Sequence, residues 1–246
     1  MSETTVEAWK TSELALTYLS GVRGALPMAD QQLAVMLRLI GLRSRPVHRF
    51  LDLGCGSGLL GAAILERHPA AQGVFLDFSR PMLAQAQATL ESYGPQLTFV
   101  LEDYGDLGWL RAVQPAAPFD VIVSGYSIHH QPDPRKWTLY AELYDLLWPG
   151  GVLVNVEHVA SATPRLEALF AEVMIDALHA HHLAAGGRKS REEVGREYYH
   201  RPDKAANLLA PVEVQCGWLR NIGYEDVDCY FKYLELAVFG GWRPEA

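Results

Sequence analysis

The stretch Asp52-Leu53-Gly54-Cys55-Gly56-Ser57-Gly58 follows a strand-like segment, Val47 to Leu51, and opens an Ala/Leu-rich segment, Leu59 to Leu65. Strand, glycine turn and helix in that order present backbone N–H groups and a helix N-terminus to a carboxylate or phosphate. Gly54, Gly56 and Gly58 suit the task, because a Cβ would hold a ligand off the backbone and the turn calls for positive φ. A second chemistry lies in histidines beside carboxylates. Ser124-Gly125-Tyr126-Ser127-Ile128-His129-His130 and Glu157-His158 each close a strand-like run. A histidine, with its near-neutral reference pKa, is suited to take a proton from a hydroxyl or amine. His129, His130, His158 and Glu157 are the candidate catalytic residues.

Positioning these groups requires a sheet whose strand tips converge. Strand-like runs at Phe50–Leu53, Gly73–Asp77, Leu97–Leu101, Phe119–Val123 and Gly151–Val156 alternate with helical segments near 58–67, 81–92 and 134–147. Near-continuous Val/Leu/Ile runs predict strands covered on both faces, as in a parallel sheet between helical layers. Helical periodicity also covers 8–20 and 29–41, with Asp30 as a cap, and 163–200 reads as helical. A helix from Pro211 to Leu219 leads to strands near 226–231 and 233–239. A hairpin cannot be made from parallel neighbours, so the sheet is mixed with an antiparallel edge. The expected organisation is an N-terminal helical cap (1–45), an α/β core (46–160), a helical lid insertion (161–210) and a closing helix and strands (211–246).

Asp77 stands some 20 residues beyond the glycines, where an acid accepts hydrogen bonds from ribose hydroxyls. Its competing role is to cap the helix at Pro81, but Ser79 can do that alone and leave Asp77 to a ligand. The glycine turn also suits a dinucleotide fold, whose fingerprint asks for a third small residue where this chain has Leu59, which would crowd helix against strand.

Length and composition narrow the classes. The 246 residues, 49% hydrophobic and 20% charged, suffice for one α/β domain with a lid. A net charge of −8 argues against a broad phosphate-binding surface, so no nucleic-acid partner is expected. Cys55, Cys216 and Cys229 are too few and too scattered for a disulfide framework or a zinc knuckle. The polar N-terminus and the absence of long apolar runs lead us to expect a cytoplasmic protein with no membrane partner.

The order of these motifs resembles the class I S-adenosylmethionine-dependent methyltransferases, over roughly residues 48–240. Asp52 through Gly58 is similar to their first motif, Asp77 to their ribose-binding acid, and Glu102-Asp103-Tyr104 to the segment bordering the adenine. Leu147-Trp148-Pro149-Gly150-Gly151 resembles the turn before their fifth strand, and Pro211–Trp218 with Gly223-Tyr224 resembles their last helix and its exit. The resemblance implies a Rossmann-like, doubly wound, seven-stranded mixed sheet whose last strand is antiparallel. It implies S-adenosyl-L-methionine as cofactor, S-adenosyl-L-homocysteine as product and a small-molecule acceptor. On this reading the cofactor is held by Arg23, Asp52, Gly54, Gly56, Gly58, Asp77, Phe78, Met82, Asp103, Tyr104 and Ser124, and the acceptor by Tyr126, Tyr198 and Tyr199. The oligomeric state stays open, a homodimer being one option.

Two absences shape the acceptor class. The loop after the fourth strand lacks the N/D-P-P-Y/F tetrapeptide that grips a planar amide or amine. In Leu178-His179-Ala180-His181-His182 only His179 and His182 share a helix face, and no third ligand follows, so no metal is expected. The reaction would be in-line displacement at the sulfonium methyl. A rival user of the same cofactor modifies the cofactor itself, as in carboxy-S-adenosylmethionine synthesis. A third reading is a non-catalytic binding protein.

Overall fold

The computed structural model describes residues 24–200, 204 and 206–245. The helix expected at 8–20, most of the N-terminal cap and Arg23 lie outside the described residues. In chain order the elements are α1 (Ala29–Ile40), β1 (Arg49–Leu53), α2 (Leu59–Arg67), β2 (Gln72–Asp77), α3 (Arg80–Thr89), β3 (Leu97–Leu101), α4 (Leu110–Val113), β4 (Phe119–Gly125), α5 (Asp133–Leu146), β5 (Leu147–His158), α6 (Pro164–Ala184), α7 (Arg191–His200), α8 (Val212–Ile222), β6 (Glu225–Tyr233) and β7 (Leu236–Trp242).

The strands form one seven-stranded sheet in the order β3-β2-β1-β4-β5-β7-β6. The ladders from β3 to β5 are parallel, while β7 is antiparallel to both β5 and β6. The Rossmann-like architecture with a reversed last strand is therefore present. The inner strands β1, β2, β4, β5 and β7 are buried on both faces over most of their length, which is why they read as apolar without alternation, while the edge strands β3 and β6 are partly exposed. One core joins Leu51, Leu53, Leu76, Ile122 and Leu153 to Leu139 and Leu143 of α5 and Leu219 of α8. The opposite core joins Phe50, Phe75, Val121 and Val154 to Met36 of α1, Ile64 of α2 and Leu83 of α3. Strand order reverses between β1 and β4, and ligands in open sheets of this kind bind outside the strand C-termini at that point.

Local details depart from the sequence reading in four places. Met28, at φ 59°, holds the N-cap position of α1, and Asp30 sits inside its first turn. The segment expected to be helical throughout 163–200 is two helices, because Gly186 (φ 81°) and Gly187 end α6 and turn the chain into α7. The β5 strand begins at Leu147, which pairs with Phe119 before the register shifts, so the Pro149-Gly150-Gly151 turn lies inside the strand as an irregularity. Ser79 occupies the N-cap position of α3 without a side-chain cap bond. Its backbone N–H donates instead to Asp77 Oδ1 at 2.8 Å.

No helix among the described residues is long and apolar enough to cross a membrane.

Candidate cofactor and acceptor site

A cleft of about 470 Å³, including its open mouth, lies at the tips of β1, β2 and β4 and is lined by Gly54, Gly56, Asp77, Phe78, Met82 and Tyr126, among others. The glycine turn forms its floor. Gly54 has φ 64°, and a Cβ there would stand 1.9 Å from Ser127 Oγ. Gly56 has φ 53°, and a Cβ there would meet no protein atom within 4 Å. The turn is thus packed shut behind Gly54 and open in front of Gly56, where a ligand can approach the backbone.

Asp77 ties this floor to the next element. Its Oδ2 accepts from the Gly56 N–H at 2.8 Å and its Oδ1 from the Ser79 N–H. The Phe78 backbone N–H bonds the same carboxylate, which with about four lone-pair sites keeps acceptor capacity for a ligand hydroxyl. Burial, opposed by these backbone bonds, pushes the Asp77 pKa up to about 6. Asp77 is therefore a structural clasp and a candidate ligand acceptor together.

The other candidates divide between lining and support. Phe78 and Met82 give the cleft an apolar wall. Asp52 is buried, and its Oδ2 accepts from the Gly61 N–H at 2.9 Å, so it braces the first turn of α2. Gly58 caps α2 in the left-handed region. Ser124 is sealed between strands, its hydroxyl donating to the Leu53 carbonyl at 2.8 Å. Asp103 accepts from the Gly105 N–H at 2.7 Å. Tyr104 is buried, its hydroxyl 2.5 Å from Ser127 Oγ, and burial raises its pKa. Tyr126, at φ 51°, borders the cleft and donates to Gln32 Oε1 of α1 at 2.5 Å.

The histidines form a row. The His129 ring lies 4.0 Å from that of His130 and 5.6 Å from that of His158, centroid to centroid. His130 borders the glycine-floored cleft, and His158 borders a second cavity of about 810 Å³, including its open mouth. Beneath His129 sits Glu157, 0% exposed, whose pKa is pushed up to about 7 by burial despite backbone N–H bonds and nearby histidines. The second cavity is walled by Phe170 of α6, Tyr198 and Tyr199 of α7, and Lys204. Lys204 Nζ lies 5.1 and 4.7 Å from the centroids of the Tyr198 and Tyr199 rings. The chain beyond α7 is held in place by the Leu208 N–H donating to the His129 carbonyl at 2.9 Å, and by buried Lys136 Nζ donating to the Leu208 carbonyl.

Sequence reasoning did not single out Ser127, Gln32, Phe170 or Lys204, nor Glu235, which is 3% exposed in the β6–β7 turn and reaches His158. Ser127 lay inside a loop already singled out. Glu235 carried no local signal, since only the antiparallel pairing of His158 with Leu236 brings it near. Among the described residues no group of three or more His, Cys, Asp or Glu is arranged to hold a metal ion.

A methyltransferase-domain family matches residues 50–151, which spans β1 to the start of the regular part of β5. A trans-aconitate 2-methyltransferase of Methylobacterium radiotolerans is 32% identical over 202 residues, covering 76% of this chain and 70% of that protein. The chain belongs to the class I S-adenosylmethionine-dependent methyltransferases. Another trans-aconitate 2-methyltransferase, from Azoarcus sp., is 41% identical over 103 residues, covering 42% of this chain. This chain spans only 36% of that relative's length. A carboxy-S-adenosyl-L-methionine synthase of Wolinella succinogenes is 27% identical over 200 residues, covering 79% of this chain and 76% of that protein. Among solved structures, an O-methyltransferase family protein from Burkholderia thailandensis superposes with a TM-score of 0.63 at 17% identity, covering 100% of this chain and 64% of that one; this supports the shared fold. For a methyltransferase the cleft fits the family's cofactor. The open face of Gly56, the spare lone pairs of Asp77 and the Phe78–Met82 wall match an adenosyl group with its polar tail.

Proposed function

We propose that this chain transfers a methyl group from S-adenosyl-L-methionine to a small-molecule acceptor, leaving S-adenosyl-L-homocysteine. The observation that carries the reading is the histidine row joining the glycine-floored cleft to a second, aromatic-walled cavity. The cofactor supplies a methyl already activated on a cationic sulfur. The protein's contribution is alignment, which can lower a barrier by about 7–11 kcal/mol.

In this reading Gly54, Gly56 and Gly58 shape the backbone that meets the cofactor's polar tail, Asp77 takes the ribose hydroxyls, and Phe78 and Met82 flank the base. Asp52, Asp103, Tyr104 and Ser124 act behind them by fixing the strand tips. The acceptor lies beside His158, Tyr198 and Tyr199, under α6 and α7, while Tyr126 and His130 border the cofactor side. Glu157 fixes His129 from below. Arg23, outside the described residues, remains a candidate partner for a carboxylate of cofactor or acceptor.

Release of S-adenosylhomocysteine across a panel of hydroxyl, amine, thiol and carboxylate acceptors tests the proposal. Turnover of any panel member supports it. Saturable cofactor binding with no turnover of any acceptor turns the reading toward a binding protein.

A second reading is cofactor modification, favoured by the 27% identity with the carboxy-S-adenosyl-L-methionine synthase. Mass spectrometry of the ligand carried by purified protein separates the two, because a carboxylated sulfonium substituent belongs only to the second.

A further inference from the structure

Two glutamate–histidine pairs lie side by side in this site, and they face different surroundings. In the first, His129 Nδ1 lies 2.6 Å from Glu157 Oε1, a hydrogen bond between ring and carboxyl. The same carboxylate accepts the His158 N–H at 2.8 Å and the His129 N–H at 3.1 Å. With Glu157 0% and His129 6% exposed, that pair is interior and fixes the backbone between β4 and β5. In the second, His158 Nε2–H donates to Glu235 Oε2 at 2.8 Å, and Ser161 Oγ donates to the other carboxylate oxygen at 2.6 Å. The Glu235 carbonyl also accepts the Val159 N–H at 2.8 Å, so both ends of the acid are fastened to the segment carrying His158. This pair opens onto the 810 Å³ cavity, where both residues form part of the wall.

We infer that Glu235 is a positioning residue which makes His158 the base of the acceptor site, and that the acceptor is a ring-borne hydroxyl, phenolic or enolic, rather than a carboxylate. The inference rests on the methyltransferase reading above and extends it to the acceptor class. Fixing Nε2–H on Glu235 sets the tautomer and leaves Nδ1 as the basic nitrogen. A carboxylate acceptor is ionised at neutral pH and gains nothing from a base, whereas a hydroxyl must lose its proton as it attacks. The charges around the imidazole agree. Glu235 faces His158 from the β6–β7 turn and Glu167 lies on the α6 side of the cavity, so among the described residues two acids stand there against the single cation Lys204 and disfavour an incoming carboxylate. Glu157, its pKa raised to about 7, bonds the His158 backbone N–H. His129 meets it edge-on, and Lys204 with Tyr198 and Tyr199 faces it from α7 and beyond. Phe170, 5.5 Å from the His158 ring, and the two tyrosines offer flat surfaces to a ring.

The step balances without a further reagent. The acceptor O–H bond breaks and its proton passes to the imidazole. The oxygen's electron pair forms the new bond to the methyl carbon, and the old carbon–sulfur pair stays on sulfur. One positive charge moves from the sulfonium to the imidazolium, where Glu235 stabilises it.

The test uses 4-nitrophenol, whose ionised form absorbs in the visible, added to protein saturated with S-adenosylhomocysteine so that no transfer occurs. At about pH 6, where an imidazole is poised to accept a proton, the wild type is expected to develop the aryloxide band on binding. Glu235→Gln is expected to weaken that band several-fold, since the imidazolium formed on proton transfer loses the carboxylate 2.8 Å from Nε2 that stabilises it. Glu235→Asp is expected to restore part of it, and benzoate is expected not to displace the probe. With a ring hydroxyl that turns over, Glu235→Gln is expected to lower kcat with little change in KM and Glu235→Asp to restore part of it, which a purely structural role would not produce. An equal band in wild type and Glu235→Gln, or displacement by benzoate, overturns the inference. Calorimetry of S-adenosylhomocysteine on the same samples keeps the two readings apart. A wild type that does not bind it sinks the methyltransferase proposal, whereas one that binds it and shows no band sinks only the acceptor inference. If Glu235→Gln itself fails to bind it, His158→Asn carries the comparison.

Discussion

The glycine-floored cleft proposed for the cofactor and the aromatic-walled cavity proposed for the acceptor are built by different means. The cleft is made mainly by short turns at the tips of parallel strands, and its polar partners are largely backbone N–H groups held by Asp77 and the glycines. The cavity is made of side chains from β5, α6, α7 and the β6–β7 turn, brought together only by tertiary packing. Backbone recognition needs particular φ values and small residues at fixed spacing, so it leaves a signature in sequence. A side-chain cavity tolerates many residue types at distant positions and leaves almost none.

The largest expected effect breaks the cleft alone. Gly54→Val places a Cβ where Ser127 Oγ already lies, at φ 64°. The left-handed strain costs about 1–2 kcal/mol and the overpacking about 1–3 kcal/mol. Cofactor binding should be abolished and the melting temperature lowered, by calorimetry and thermal denaturation; retained affinity would show that the turn is not the cofactor's floor. Next, His158→Asn should lower kcat by about 10²–10⁴-fold while leaving S-adenosylhomocysteine affinity nearly unchanged. A matched loss of affinity would merge the two regions rather than separate them.

Asp77→Asn should weaken S-adenosylhomocysteine binding by roughly 1–3 kcal/mol without altering the acceptor KM. The same residue gives the two states opposite pH trends. In the ligand-free protein a carboxyl raised to about 6 contributes stability that is full below its ordinary pKa and is lost as pH rises through about 6. Glu157, raised to about 7, acts in the same direction over a higher window. Thermal denaturation should show a shallower loss between about pH 4 and 6 in Asp77→Asn than in the wild type. The smallest effect is expected from Tyr199→Ala on the half-exposed rim of the cavity. It should raise the acceptor KM by about 0.5–1.5 kcal/mol and leave the cofactor side unmoved.

The same contrast explains what was readable beforehand. Strands β1, β2 and β4 followed from apolar runs, because strands buried on both faces cannot carry polar residues cheaply, and β3 at the partly exposed sheet edge was legible as the same kind of run. The reversed last strand followed from two β-rich runs joined too tightly for a crossover. The break between α6 and α7 was hidden because Gly186-Gly187 interrupts an otherwise continuous helical composition. Asp30 looked like a cap because acids favour helix starts, yet the chain enters α1 through a left-handed Met28. In the candidate site, the placement of Asp77 beside the glycines was legible from their spacing, but not its backbone bonds, which need the folded turn. Glu235 was illegible, since a buried acid beside His158 exists only once β7 pairs with β5.

One titration tests the central claim most directly: calorimetric binding of S-adenosylhomocysteine to the wild-type chain as pH is varied. On the proposed reading ribose hydroxyls donate to a charged Asp77, so affinity should hold above the folded pKa of about 6 and fall by up to about tenfold per unit below it. That decline should vanish in Asp77→Asn. Absence of binding at any pH, or an affinity indifferent to both pH and Asp77, would contradict the account.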